Sequence, residues 1–188
     1  MRFTPTPLDG AWLVEIEPRR DERGYFARSW CRQEMARAGL NADLQQINEA
    51  VTLRSGTVRG LHFQAAPHAE VKLVRCLRGQ LFDVIVDLRP ESPTCGRWFG
   101  TELAAGDGRM LYVPEGFAHG YQTLCDDTCL SYQTSHVYVP ASALGVRFDD
   151  PALVEAWPLP VTMVSSQDRS WPDLDTVLQS HCFSANTA

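Results

Sequence analysis

The sequence predicts an all-β chain, an antiparallel β jelly-roll barrel with a few short helices. Three observations carry this. Several stretches alternate apolar and polar residues with period two, the mark of half-buried strands. Gly, Pro and Asp break these stretches into short units, as in sandwiches and closed barrels. Only one segment, 31–38, has clear helical character, too little helix for a doubly wound α/β fold.

The elements follow in order. A strand is expected at 12–16. The helix at 31–38 comes next, with Gly39 as its stop. A strand is expected over 57–64. Alternation over 71–77 and 81–88, separated by Arg78-Gly79-Gln80, predicts a β-hairpin, because glycine tolerates positive φ in the turn. Lys72, Val74 and Cys76 share one face of its first strand. On its second strand Phe82, Val84, Val86 and Leu88 lie opposite Asp83, Ile85 and Asp87. Further strands are expected at 98–103, 109–113, 121–124, 129–138 and 161–165, and one helical turn at 153–156. Pro5/Pro7 and Pro158/Pro160 suit segments that wrap the barrel or reach a second subunit. No repeat or linker divides the chain, so residues 1–188 read as a single domain.

Composition limits the function classes. Hydrophobic residues make up 44% and charged residues 21% of 188 residues, ordinary for a globular protein. The net charge of −6 argues against a general nucleic-acid surface. No apolar run approaches the roughly twenty residues that span a bilayer. The N-terminus lacks a signal-peptide core, so a cytoplasmic location is expected. Cys31, Cys76, Cys95, Cys125, Cys129 and Cys182 form no Cys-x-x-Cys pair, and reduced thiols are expected. Cys76 reads as a packing residue.

The chemistry gathers around His62. Residues 56–64 have the frame of a β-barrel metal motif, in which Gly, five residues and His-x-His begin the ligand set. Here Gln64 replaces the second His. Residues 108–119 have the frame of the partner motif, with His119 present. Lys72 stands where an acidic ligand is expected, and an ammonium has no lone pair for a metal. Two histidines and a lysine without that carboxylate read as acid–base chemistry, with no metal. A metal-bound His62 could not accept a proton. A lone histidine is more often a satisfied buried side chain, but two in related frames favour function. A surface lysine usually snorkels. The alternation of Lys72 with Val74 and Cys76 points it inward, where it needs an anionic partner, permanent or formed during reaction. Tyr132 is a core aromatic or a general acid, and spacing does not choose. Arg23 and Arg59 are candidates for bidentate anion contact.

Taken together, the stretches at 21–26, 58–64, 72–76, 82–89, 92–98, 112–120 and 149–152 resemble the dTDP-4-dehydrorhamnose 3,5-epimerase family. They run in family order through nearly the whole chain. The resemblance implies a cupin-type version of the same barrel. It implies that His62 removes a proton beside the C4 keto group, oriented by Asp168. Lys72 stabilises the enolate, Tyr132 returns a proton from the opposite face, and His119 completes the pocket, with Asp83 behind it. Arg23 and Arg59 hold the diphosphate of a dTDP-activated keto-deoxysugar. Gln46 and Asn48 contact the nucleotide, Tyr138 stacks on its base, and Phe26 and Arg28 complete the binding set. No cofactor is implied. A homodimer with exchanged N-terminal strands is implied. Arg28, Ala143 and Gln167 depart from the family pattern and are expected on the nucleotide or diphosphate side. Inversion of one carbon only, a differently activated keto sugar, or sugar binding without turnover are the other readings. A metal dioxygenase-type barrel is disfavoured by Gln64 and Lys72.

Overall fold

The computed structural model describes residues 1–184, with side chains described as far as Ser180. The strands are β1 (Arg2–Pro5), β2 (Trp12–Glu15), β3 (Arg19–Asp21), β4 (Gly24–Phe26), β5 (Gln46–Thr52), β6 (Val58–Gln64), β7 (Lys72–Arg78), β8 (Gln80–Asp87), β9 (Trp98–Ala104), β10 (Arg109–Val113), β11 (Phe117–Thr123), β12 (Thr128–Thr134) and β13 (Ala143–Gly145). Helix α1 (Arg32–Arg37) lies between β4 and β5, and α2 (Ser166–Ser170) and α3 (Leu174–Ser184) follow β13. Single 3₁₀ turns occupy Pro140–Ser142 and Val154–Ala156.

Two antiparallel sheets face each other. One has the order β1-β2-β10-β7-β12-β5 and the other β13-β6-β11-β8-β9, with β3-β4 as a separate hairpin. Three apolar layers explain why so many strands are apolar on both sides. Val74, Cys76, Leu81, Ile85, Leu111 and Leu130 fill the space between the sheets. Val14, Leu73 and Tyr112 pack outside the first sheet against Met35 of α1. Val84, Val86 and Leu88 pack outside the second sheet against Leu153, Leu174 and Val177. The alternation within 81–88 is therefore real, but both of its faces are buried.

Several expectations hold. Helix α1 ends before Gly39, whose φ of +75° is the left-handed stop and whose N–H donates to Ala36 O. The turn at 153–156 is present as 3₁₀. Cys31, Cys76, Cys125 and Cys129 are free thiols, and the side chain of Cys182 lies outside the described residues. No helix of the described residues is long and apolar enough to cross a membrane.

The hairpin at 71–88 needs correction. β7 and β8 are joined at Gly79, yet β7 pairs with β10 and β12, while β8 pairs with β9 and β11. Gly79 turns the chain from one sheet to the other. At its φ of +78° a Cβ would stand 2.7 Å from Thr128 Oγ1. The residues 161–165 also form no strand; a single bridge joins Thr57 to Met163. β5 was not expected as a strand, and neither was α3.

Gly60 fixes how the two central strands approach. β6 and β11 are adjacent, and His62 pairs with His119 before the register shifts. At Gly60, with φ +109°, a Cβ would lie 2.7 Å from Gly120 Cα and His119 O. Both are backbone atoms and cannot swing aside. Gly60→Ala is expected to lower the unfolding free energy by about 2 kcal/mol or more, from strain plus clash. Urea denaturation checks this, and an unchanged midpoint would refute the packing argument.

Candidate active site

A cavity of about 820 Å³ opens between the two sheets, within the size range of small-molecule sites. One wall is the second sheet and the segment that covers it. There His62 of β6 points half-exposed into the cavity. Its Nε2 donates to Asp168 Oδ1 at 2.5 Å, which leaves the Nδ1 lone pair available as a base. Asp168 also accepts from Gly60 N at 3.3 Å. The side chain of Ser165 caps α2 by accepting from Asp168 N at 3.0 Å, which holds the carboxylate in place. Burial raises the pKa of Asp168, but its bonds from His62 and Gly60 outweigh burial and the net shift is downward. A depressed carboxyl stabilises the fold above the unfolded value, about 3.9, and that stability is lost as pH falls through the lower folded value. Trp171 sits edge-on to the His62 ring, with centroids 6.3 Å apart.

The opposite wall is the first sheet. Period two places Leu130, Tyr132 and Thr134 of β12 on the cavity side, beside Gln46, Asn48 and Ala50 of β5. Burial raises the pKa of the Tyr132 phenol, so it stays protonated at neutral pH. Lys72 is only 7% exposed. Its Nζ donates to His62 O at 3.2 Å and lies 3.3 Å from Glu70 Oε1. Burial lowers the ammonium's pKa, opposed mainly by Glu70 and then by Asp83. Lys72 is also the only lysine among the 17 Lys and Arg residues of the sequence.

His119 Nε2 lies 2.8 Å from Asp83 Oδ1, and both side chains are buried. The angles fall outside hydrogen bonding, and neither Asp83 oxygen has a hydrogen-bond partner among the described residues. The pair is a close contact rather than an aligned hydrogen bond. It leaves a carboxylate inside the barrel whose field reaches Lys72.

Gln64, where the motif frame calls for a second histidine, ties neighbouring segments together. Its Nε2 faces Glu70 Oε2 and His68 O, both at 3.1 Å, and Val137 O at 3.2 Å, while its Oε1 accepts from Val139 N at 2.6 Å. Among the described residues no three His, Cys, Asp or Glu side chains are grouped to hold a metal.

The cavity brings together His62, Lys72, His119, Tyr132, Asp168, Arg59, Gln46, Asn48 and Tyr138. Arg59 is braced on Thr52 Oγ1 at 2.9 Å, and Gln46 Oε1 accepts from Tyr138 N at 2.9 Å. Arg23, Phe26 and Arg28 do not line it within one chain. Arg23 pairs with Asp21 and Arg28 with Glu34, each at 2.5 Å, and Phe26 on the β3-β4 hairpin is 76% exposed. Phe26 and Arg28 instead border a smaller cavity of about 420 Å³ beside Met1. Of the three departures, Ala143 and Gln167 line the large cavity and Arg28 does not. Glu70 and Trp171 were missed. The signals were there: Glu70 precedes Lys72 by two residues, and Trp171 follows Asp168 by three.

The family model for dTDP-4-dehydrorhamnose 3,5-epimerase matches residues 5–176. The Sinorhizobium fredii protein of that name is 47% identical over 166 residues, covering 85% of this chain and 83% of that one. A dTDP-4-dehydrorhamnose 3-epimerase of Streptomyces niveus is 40% identical, covering 90% of this chain and 82% of that one. The crystal structure of the Bacillus anthracis 3,5-epimerase with TDP and PPi bound superimposes with a TM-score of 0.87 at 37% identity, covering 92% and 98% of the two chains. A chain with this fold, this cavity and these relatives belongs to the dTDP-4-dehydrorhamnose 3,5-epimerase family.

Proposed function

We propose that this chain inverts C3 and C5 of a dTDP-4-keto-6-deoxyhexose, as one domain over residues 1–188. The observation that carries the reading is the 2.5 Å His62–Asp168 pair facing a cavity whose other wall holds Lys72 and Tyr132. Both carbons neighbour the C4 keto group, so their protons are acidic. His62 Nδ1 takes the proton, and the imidazolium is held by the Asp168 carboxylate. The electrons move to O4, where the Lys72 ammonium meets the developing charge. Tyr132 delivers a proton from the other wall, which inverts the carbon. The Asp83-paired His119 lies against the sugar. Arg59, Gln46, Asn48 and Tyr138 take the diphosphate and nucleotide. No step in this scheme needs a cofactor.

The proposal extends to a homodimer, supported by an exposed apolar edge. On β5 the polar Gln46 and Asn48 face the cavity, which turns Ile47, 69% exposed, and Val51 outward with Leu53. Such an apolar edge strand favours a covering partner. In the proposed dimer the β3-β4 hairpin of a second copy brings Arg23, Phe26 and Arg28 to the cavity, and the protein works in the cytoplasm. Ile47→Asp combined with Val51→Asp is expected to halve the mass measured by light scattering and to reduce turnover. An unchanged mass would remove this surface from the dimer.

The second reading is inversion at C3 alone, favoured by the Streptomyces niveus relative. Incubation with dTDP-4-keto-6-deoxyglucose in deuterated water, read by NMR, separates the two: label at both carbons supports the first, and label at C3 alone supports the second. His62→Ala and Tyr132→Phe are expected to lower turnover by roughly 10²–10⁴-fold each with nucleotide binding retained. Asp168→Asn, which removes the orienting charge, is expected to fall in the same range of roughly 10²–10⁴-fold. Undiminished exchange in the His62 variant would discard it as the base.

A further inference from the structure

We propose that Glu70 is a positioning residue for this reaction: its carboxylate holds the Lys72 ammonium against the strand of the base and keeps it the cation that meets the enolate oxygen. This rests on the epimerase reading above. Glu70 has one oxygen for each of two tasks. Oε1 lies 3.3 Å from Lys72 Nζ, and Oε2 faces Gln64 Nε2 at 3.1 Å. Gln64 is itself tied to the backbone at 68, 137 and 139, so the carboxylate is anchored on the side away from the lysine. Lys72 in turn donates to the carbonyl of His62. The side chains of Glu70 and Lys72 are 11% and 8% exposed, so solvent screens the pair little.

A desolvated ammonium tends to lose its proton, and a neutral amine cannot stabilise an enolate. The charged groups bearing on Lys72 are Glu70 and, from β8, Asp83, which also faces His119. Its strand partners Val113 and Thr134 are uncharged. Glu70 also acts on Tyr132, where it adds to burial in keeping the phenol protonated, against Arg59. A single carboxylate thus biases both the electrostatic catalyst and the acid toward their working states.

The single lysine makes the test direct. Protein labelled with [¹³Cε]lysine gives one side-chain resonance to titrate. In Glu70→Gln, an isosteric change that keeps an acceptor for Gln64, its midpoint is expected to fall by about 1–3 pH units. The alkaline limb of kcat is expected to move down with it, while KM stays nearly constant. Glu70→Asp, which keeps the charge but draws it back, is expected to give an intermediate midpoint. A midpoint equal to the parent's in both variants, or a shifted resonance with an unmoved alkaline limb, overturns the proposal. The lysine titration needs no substrate. If the parent protein exchanged no deuterium with any keto sugar, the epimerase reading would fail while the electrostatic half of this test still gave its answer.

Discussion

A cation enclosed between two β-sheets must be met by anions, and the interior of this barrel is arranged around that requirement. Lys72 puts a positive charge on a buried side chain of the site. Glu70 and Asp83 supply the compensating charge from two sides. They leave the ammonium its donated bond to the His62 carbonyl, which ties the cation to the strand that carries the base. The barrel is divided accordingly. Leu81, Leu111 and Leu130 close the apolar part, and the charged groups sit where the cavity opens.

The second requirement is an oriented base. His62 alone could turn freely in a half-exposed position. Its orientation comes from Asp168, which belongs to a segment well beyond the last strand. That segment reaches the site because the outer face of β8 is apolar and must be covered. Leu153, Leu174 and Val177 cover it, and α2 lies between them in sequence. Packing energy spent on the outside of the barrel therefore places a carboxylate at its mouth. The Ser165 cap then fixes that carboxylate locally.

Gln64 links the two requirements. Its amide closes the loop at 137–139 over the cavity and anchors Glu70. The same loop presents Tyr138, whose N–H is held by Gln46 from the edge strand.

The sequence by itself determined many of the barrel strands and the chemical groups. Period-two alternation located β7, β8, β10 and β12 because each buries side chains on a pleated surface, and Gly39 marked the end of α1 by its left-handed φ. The inward Lys72 was legible from the same alternation, and His62 and His119 from their motif frames; that the two histidines pair across β6 and β11 came from the fold. β5 escaped notice because its apolar residues face outward and its polar ones face the cavity. α3 escaped although Pro172-Asp173 and the spacing of Leu174, Val177 and Leu178 announced it. Only the tertiary structure decided which strands pair. β7 and β8 look like a hairpin locally, yet their partners lie tens of residues away, and pairing energy is gained from those distant ladders. It alone decided that Glu70 is the counter-ion of Lys72 and that Arg23, Phe26 and Arg28 stand apart from the cavity of their own chain, and it gave the Asp168–His62 pair, which the resemblance implied, its 2.5 Å geometry. Alternation reports which way a side chain points; what it meets there depends on residues that the fold brings from elsewhere.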